Sequence, residues 1–306
     1  MNTNIIEKYN KPIFFYGLSL VIPWILWFVA AYISHLIEIN QYLTFIQGVL
    51  GILGLVAPFF VALYLFASDR ELYKDFKKRI CTQKGFSPVY SALALLLIFA
   101  SIVASQFISL LFGHDVHQFY ISGSPSFTSA LFSPWFILIF APIVEELAWH
   151  SYGTDVLRSK FNLFTTSLIF SVYWVIWHIP LSFIKGYYHS NVVAIGLLYS
   201  LNFIVSLFVF VILMNWLYYK TNRNIFITIV FHLSANISNE IFATHPDSKV
   251  IQTVLLMLFA IIVLIKDRKM FFSKEVLKWI SSACLNFLTH LWLKDYFVIQ
   301  NWAWHK

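Results

Sequence analysis

The chain has 306 residues, of which 59% are hydrophobic and only 11% are charged. Soluble globular domains carry about 25% charged residues, so this composition excludes an ordinary soluble protein. Aromatic residues make up 19% of the chain, and its mean hydropathy is +0.74. Because one water-soluble core cannot bury this much apolar surface, most of the chain is expected to lie in a lipid bilayer.

Long apolar segments recur along the chain. The hydrocarbon core of a bilayer, about 30 Å thick, takes roughly 20 helical residues per crossing. Segments of this kind lie near residues 12–36, 43–67, 88–112, 128–157, 162–184, 191–218, 225–243 and 249–265. The sequence therefore predicts an all-α polytopic membrane protein with about eight transmembrane helices. We expect a single transmembrane domain over residues 1–270, with a polar site inside the helix bundle.

The distribution of Lys and Arg predicts the orientation of this domain. With eight spans, 19 of the 21 basic residues fall on the side of the N-terminus, and only Lys185 and Lys249 fall on the other. Basic residues accumulate on the cytosolic side of membrane proteins. We therefore expect both termini in the cytosol. The net charge of +7 is assigned to topology and to anionic membrane lipid, not to nucleic acid.

Two segments outside the spans are amphipathic. Residues 69–84 mix both charge signs with apolar residues at helical spacing, which favours an interfacial helix or, equally, a solvated loop that serves only topology. Residues 271–306 carry four Trp among scattered Lys, which indicates an amphipathic tail at the membrane surface.

The two cysteines, Cys81 and Cys284, lie beside basic residues assigned to the cytosol, so no structural disulfide is expected.

The fourth predicted span contains two adjacent carboxylates, Glu145 and Glu146. Ionisable groups at membrane depth are costly and commonly functional. Pro142 removes a main-chain hydrogen bond about one turn before the pair, which loosens the helix there. Repulsion between the two carboxylates is one way in which a general base is prepared. The alternative is a solvated pair at the headgroup boundary.

Two other predicted spans carry imidazoles. His178 lies in the fifth span, and His232 and Asn236 lie four residues apart on one face of the seventh. A single buried His is commonly only a hydrogen-bonded core residue. A carboxylate with two imidazoles, however, is the set used to activate water, directly or on Zn²⁺, and an amide can stabilise an oxyanion. The set predicts peptide-bond hydrolysis in a membrane-associated substrate; proton- or ion-coupled transport is the rival interpretation.

At these residues the sequence resembles the CPBP family of intramembrane proteases, which includes type II CAAX prenyl endopeptidases, bacteriocin-processing proteins and Abi proteins. The family motifs EExxxR, FxxxH and HxxxN correspond here to Glu145–His150, Trp174–His178 and His232–Asn236, within a core of residues 128–243. The chain departs from the motifs at two positions. His150 stands where the family has Arg, and Trp174 stands where it has Phe.

The resemblance implies a role for each motif residue. Glu145 would be the general base, Glu146 would steady the site, His178 and His232 would position water or a metal, and Asn236 would support the oxyanion. Glu145, His178 and His232 would be the ligands of Zn²⁺ if a metal is used.

The implied enzyme is an endopeptidase of a bacterial plasma membrane. Its implied substrates are membrane-associated peptides or proteins, such as peptide pheromones, bacteriocin precursors, or bacteriocins in self-immunity. His150 cannot make the bidentate contact of a guanidinium. The alternative hypothesis is therefore an inactive family member that acts as a membrane scaffold and regulates a membrane-protein partner.

Two polar features fall outside the motifs. The loop Gly113–His117 carries two His and an Asp at close spacing, which we interpret as a polar loop and not as a metal site, because it offers only three ligands. Glu240 follows His232 by eight residues, and we expect it to cap or line the outer end of that helix.

Overall fold

The computed structural model describes residues 4–81 and 87–273. The helices in this part of the chain are α1 (Asn4–Glu7), α2 (Pro12–Ser34), α3 (Gln41–Ala67), α4 (Arg70–Cys81), α5 (Pro88–Leu110), α6 (Pro134–Ala148), α7 (Thr154–Arg158), α8 (Leu163–His178), α9 (Tyr188–Ile195), α10 (Leu197–Lys220), α11 (Ile225–Ile241), α12 (Pro246–Lys266) and α13 (Arg268–Phe272). Strand pairing in the described residues is limited to one bridge between Ile121 and Phe242. The predicted all-α polytopic fold is confirmed.

All eight predicted spans are helical, but they are not equivalent. Helices α2, α3, α5, α10 and α12 and the segment Leu163–Phe183 are long and apolar enough to cross a membrane. The seventh predicted span, α11, has only 17 residues. The fourth is not one regular helix, because α6 passes through the π-helical turn Trp149–Gly153 before it continues as α7. The two irregular or short spans are the ones that carry Glu145, Glu146 and His232.

Proline residues shape the helices near these side chains. Pro142 lies inside α6, three residues before Glu145, and Pro180 follows the end of α8 at His178. Proline lacks the N–H that a regular α-helix uses, so the chain after His178 tightens into a 3₁₀ turn, Ile179–Phe183. His178 is thereby placed at a helix end, where its side chain faces inward.

Helix α4 confirms that residues 70–81 are helical, and the solvated-loop interpretation was wrong. Leu72 and Phe76 on one face of α4 are buried, and so is the side chain of Arg79. The first residues of the predicted tail belong to α13, whereas residues 274–306, which include Cys284, lie outside the described part of the chain.

Three buried charged residues and one partly buried carboxylate join α4 to the distant helices α7 and α10. Asp155 in α7 accepts hydrogen bonds from Arg79 Nη1 at 3.0 Å and from Arg223 Nη2 at 2.5 Å. Arg223, which follows α10, also pairs with Asp75 of α4 at 2.9 Å. We call Asp75, Arg79, Asp155 and Arg223 the arginine cluster. Sequence reading counted both arginines only as topology signals and missed the cluster, because the pairs that join different segments are 68 to 148 residues apart.

Candidate active site

The motif residues of three helices line one cavity of about 640 Å³. Glu145 comes from α6, His178 from the end of α8, and His232 and Asn236 from α11. Most of the remaining wall is apolar and aromatic. The structure therefore brings together four of the five side chains that the sequence singled out, and Glu146 lies behind them.

Glu145 is buried at the wall of this cavity. Its Oε2 accepts hydrogen bonds from the indole N–H groups of Trp174, at 3.2 Å, and Trp149, at 3.4 Å. Its Oε1 has no hydrogen-bond partner among the described residues. Two rigid indoles thus fix one carboxylate oxygen and leave the other for a group in the cavity. Trp174 supplies a contact that the Phe of the family motif cannot.

Glu146 is fully buried and has different partners from its neighbour. Its Oε1 lies 2.8 Å from Nδ1 of His232, and its Oε2 makes a short hydrogen bond with Nδ1 of His150. Because the Nδ1 of His232 is engaged, its Nε2 is the nitrogen left for the cavity. Glu146 therefore orients an imidazole and does not itself reach the cavity.

A chain of hydrogen bonds fixes the proton on the far side of His150. The Ser167 hydroxyl donates to the Leu163 carbonyl at 2.9 Å, so it accepts from Nδ2 of Asn215, also at 2.9 Å. The carbonyl oxygen of the Asn215 amide therefore faces Nε2 of His150, at 2.9 Å, and this Nε2 donates. One further proton lies between His150 Nδ1 and Glu146. His150 is thus a fixed hydrogen-bond partner of Glu146, at the position of the Arg of the motif.

His178 is oriented by its own helix. Its Nδ1 donates to the carbonyl of Trp174 at 2.7 Å, so its Nε2 carries a lone pair when the ring is neutral. The ring stacks on His189 of α9, with centroids 4.8 Å apart. His189 also lines the cavity, and its buried Nδ1 has no hydrogen-bond partner. Sequence reading missed His189, which lies just before a predicted span; a third His beside an apolar segment was the available signal.

Asn236 and Glu240 lie further along α11. Nδ2 of Asn236 donates to the Leu138 carbonyl of α6 at 3.3 Å, so the predicted oxyanion donor is engaged by main chain here. Glu240 is buried, accepts the Ser126 N–H at 2.7 Å and pairs with Lys249 at 3.4 Å. It lines the cavity, in agreement with its expected position.

The predicted zinc ligands fit a metal in their chemistry but not in their spacing. Two imidazole nitrogens and a carboxylate are donors that zinc accepts. In the described residues, however, the groups of three such donors with ligand atoms within 4.8 Å of one another do not include Glu145, His178 and His232. These side chains would have to move to share an ion, and no step below is routed through a metal.

Comparison with known proteins agrees with these motifs. The family model described as "Type II CAAX prenyl endopeptidase Rce1-like" matches residues 127–238, the segment that holds all the motif residues. The chain is 34% identical over 269 residues to the "CAAX prenyl protease 2" of the archaeon Methanococcus maripaludis. The match covers 87% of this chain and 97% of the relative. The chain belongs to the CPBP family of membrane proteases, among the Rce1-like type II CAAX prenyl endopeptidases.

Proposed function

We propose that this protein is an intramembrane endopeptidase in which Glu145 activates the hydrolytic water. The observation that carries the proposal is the carboxylate of Glu145. It is buried, fixed through one oxygen by two indoles, and open through the other to a cavity that also holds His178 and His232. A fixed carboxylate beside two imidazoles suits proton transfer from water.

The proposed reaction assigns each proton to an atom. Glu145 Oε1 takes one proton from water as the water oxygen attacks the peptide carbonyl carbon. The same proton then passes to the leaving nitrogen as the C–N bond breaks. The neutral His178 offers a lone pair on Nε2 and therefore accepts a hydrogen bond from the water. His232, held by Glu146, is proposed to position the water together with His178, and the amide of Asn236 is the group proposed to donate to the oxyanion.

The substrate we propose is a membrane-associated peptide or protein with an apolar or lipidated group beside the scissile bond. The mainly apolar cavity wall supports this class, and the archaeal relative is named a prenyl protease. Peptide pheromones and bacteriocin precursors are the classes proposed from the wider family. We further propose a plasma membrane location with the basic helix ends, and both termini, in the cytosol.

The scaffold hypothesis rests on the replacement of the motif Arg by His150. The structure weighs against it, because His150 contacts Glu146 and is itself held by Asn215. The carboxylate that orients His232 therefore keeps a hydrogen-bond partner at the motif position.

The decisive experiment compares Glu145→Gln with Glu240→Gln at equal protein levels. Both substitutions remove a buried carboxylate that lines the same cavity. Membrane and secreted peptides of the host are measured by mass spectrometry. We expect Glu145→Gln to lower the formation of a product by about 10²-fold or more, the scale of general-base catalysis, and Glu240→Gln to retain it.

An unaltered product with Glu145→Gln would refute the mechanism. If no peptide changes and a membrane-protein partner co-purifies equally with both variants, the scaffold hypothesis would replace the protease.

A further inference from the structure

A second group of metal-binding side chains lies outside the active site, at the rim of the cavity. His114, in the segment after α5, and His245 and Asp247, at the start of α12, bring one ligand atom each to within 4.8 Å of one another. We call these three residues the rim triad. They include one of the loop residues that the sequence gave no role and two that it did not consider.

The rim triad contacts the cavity wall but shares no residue with the motifs. Nε2 of His114 lies 3.2 Å from Oδ2 of Asp247, and Nδ1 of His245 lies 3.6 Å from the same oxygen. The two rings are in contact, with centroids 4.2 Å apart and their planes tilted by 35°. Thr244 and Pro246, on either side of His245, line the cavity.

The surrounding residues hold the rim triad in place. The Tyr199 hydroxyl donates to Oδ1 of Asp247 at 2.8 Å, which leaves Oδ2 toward the two imidazoles. Gln106 Nε2 donates to Thr244 Oγ1 at 2.8 Å, and Ser248 Oγ donates to Gln118 Oε1 at 2.6 Å. These bonds fasten both sides of residues 245–247 to the segment that carries His114. In protein metal sites, a second residue commonly hydrogen-bonds to a metal ligand and orients it, and the surrounding structure is rigid.

An ion pair between His114 and Asp247 leaves part of the rim triad unused, because Nδ1 of His245 accepts the main-chain N–H of Asp247 at 3.2 Å and its Nε2 has no partner among the described residues. A proton on each ring would place two positive imidazoles in contact. A divalent cation satisfies both imidazoles and the carboxylate at once. Two imidazoles and one carboxylate, with a coordination position left for water, select a first-row transition ion such as Zn²⁺ over the oxygen-seeking Ca²⁺ and Mg²⁺.

We propose that His114, His245 and Asp247 bind a divalent transition-metal ion of the zinc class at the rim of the cavity. The bound ion links the segment after α5 to the start of α12, and so ties together two parts of the rim. The side chains of His245 and Asp247 are 46% and 41% exposed, so an ion reaches them directly from solvent.

The test uses Co²⁺ as a spectroscopic probe on the purified full chain in detergent. All samples carry His178→Ala and His232→Ala, which remove the imidazoles of the motifs, and all are first stripped with a chelator. Co²⁺ is titrated and its visible absorption is recorded, because a bound ion in a four-coordinate site absorbs more strongly than the free aqueous ion. We expect saturable binding of one ion per chain.

Single substitutions then locate the ion. His114→Ala and His245→Ala should abolish the signal, and Tyr199→Phe should weaken binding about 10-fold, the scale for an outer partner of a ligand. His117→Ala is the matched control, because His117 lies in the same segment but its ring contacts Tyr120. Absence of saturable binding, or binding that survives His245→Ala with unchanged affinity, would overturn the proposal. Neither result depends on peptidase activity, so the failure of one proposal is distinguishable from that of the other.

Discussion

The arginine cluster and the group around Glu146 are two buried polar groups in the described part of the chain, and they differ in their cations. The arginine cluster joins two carboxylates to guanidinium groups, which stay charged at every physiological pH. The active-site group joins Glu146 to the imidazoles of His150 and His232, which can gain or lose a proton. The first group holds helices together with fixed charge. The second is suited to proton transfer, and it is the one beside a cavity.

The comparison also indicates which substitutions should affect folding and which should affect activity. Removing one member of a buried ion pair leaves an unpaired charge in a low-dielectric interior, so such pairs constrain the fold strongly. A carboxylate such as Glu145, held only by neutral indoles, imposes no such requirement. Substitutions in the arginine cluster should therefore affect folding first, and substitutions around Glu145 should affect activity first.

The largest effect is expected for Asp155→Ala. This change leaves the guanidinium groups of Arg79 and Arg223 buried without their shared carboxylate, and it should lower the free energy of unfolding by about 3–5 kcal/mol. Thermal unfolding of the full chain in detergent measures it. Glu71→Ala removes the exposed pair with Lys8 and is the control, for which little change is expected because solvent screens the pair. Equal melting temperatures for the two variants would contradict a structural role for the cluster.

A smaller effect, now on activity, is expected for Asn215→Leu. The change removes the acceptor that fixes the proton on Nε2 of His150, so the ring that pairs with Glu146 loses its fixed orientation. We expect kcat to fall about 10-fold, the scale for an outer partner of a site residue, and its pH profile to shift. Ser200→Ala is the control, because Ser200 lies on the same helix and its hydroxyl donates only to the main-chain carbonyl of Gly196. If both variants kept the wild-type kcat and pH profile, His150 would act without Asn215.

Trp174→Phe should have a milder effect on activity. It restores the aromatic type of the family motif but removes the indole N–H that Glu145 Oε2 accepts at 3.2 Å. Loss of one hydrogen bond of about 1 kcal/mol corresponds to roughly a 5-fold fall in kcat, because Trp149 still donates to the same oxygen. Trp177→Phe is the matched control, since the buried Trp177 Nε1 has no hydrogen-bond partner. A larger loss with Trp177→Phe would show that packing, not the hydrogen bond, is what matters.

The smallest effect is expected on the melting temperature at low pH, where Asp75 of the arginine cluster becomes protonated. Burial alone would raise the pKa of Asp75, but the guanidinium groups of Arg79 and Arg223 outweigh burial and hold that pKa below its usual value. A lowered pKa in the folded state stabilises the fold above the unfolded-state pKa of about 3.9, and this contribution is lost as the pH falls through the folded pKa. The melting temperature of the wild-type protein should therefore fall as the pH is lowered below about 4. In Asp75→Asn this acid-dependent part should be reduced, and an identical pH profile would refute the assignment.

The motif residues were predictable because their signals are local. Charged and imidazole side chains inside apolar segments are rare, and the i,i+4 spacing of His232 and Asn236 fixes a shared helix face in any helix. Their roles in catalysis remain a prediction. The sequence could not show that Glu145 and Glu146 turn to different partners, because those partners come from other helices.

The arginine cluster and the rim triad had no comparable local signal. Arg79 lies in the segment predicted as an interfacial helix or a solvated loop, Asp155 at the end of the fourth predicted span, and Arg223 in a predicted loop. His114 is 131 residues from His245 in a 306-residue chain. Only the packing of α4, α7 and α10 removes the arginines from water and pairs them with carboxylates.

The sequence by itself determined that this is a polytopic helical membrane protein with a carboxylate–imidazole set at membrane depth. Hydropathy and helical periodicity are properties of neighbouring residues, so they can be read without a fold. The tertiary structure decided which glutamate faces the cavity, how His150 takes the place of an arginine, and which distant His and Asp residues meet at the rim. Those outcomes depend on contacts between side chains far apart in the chain, which only the packed helices bring within hydrogen-bonding distance.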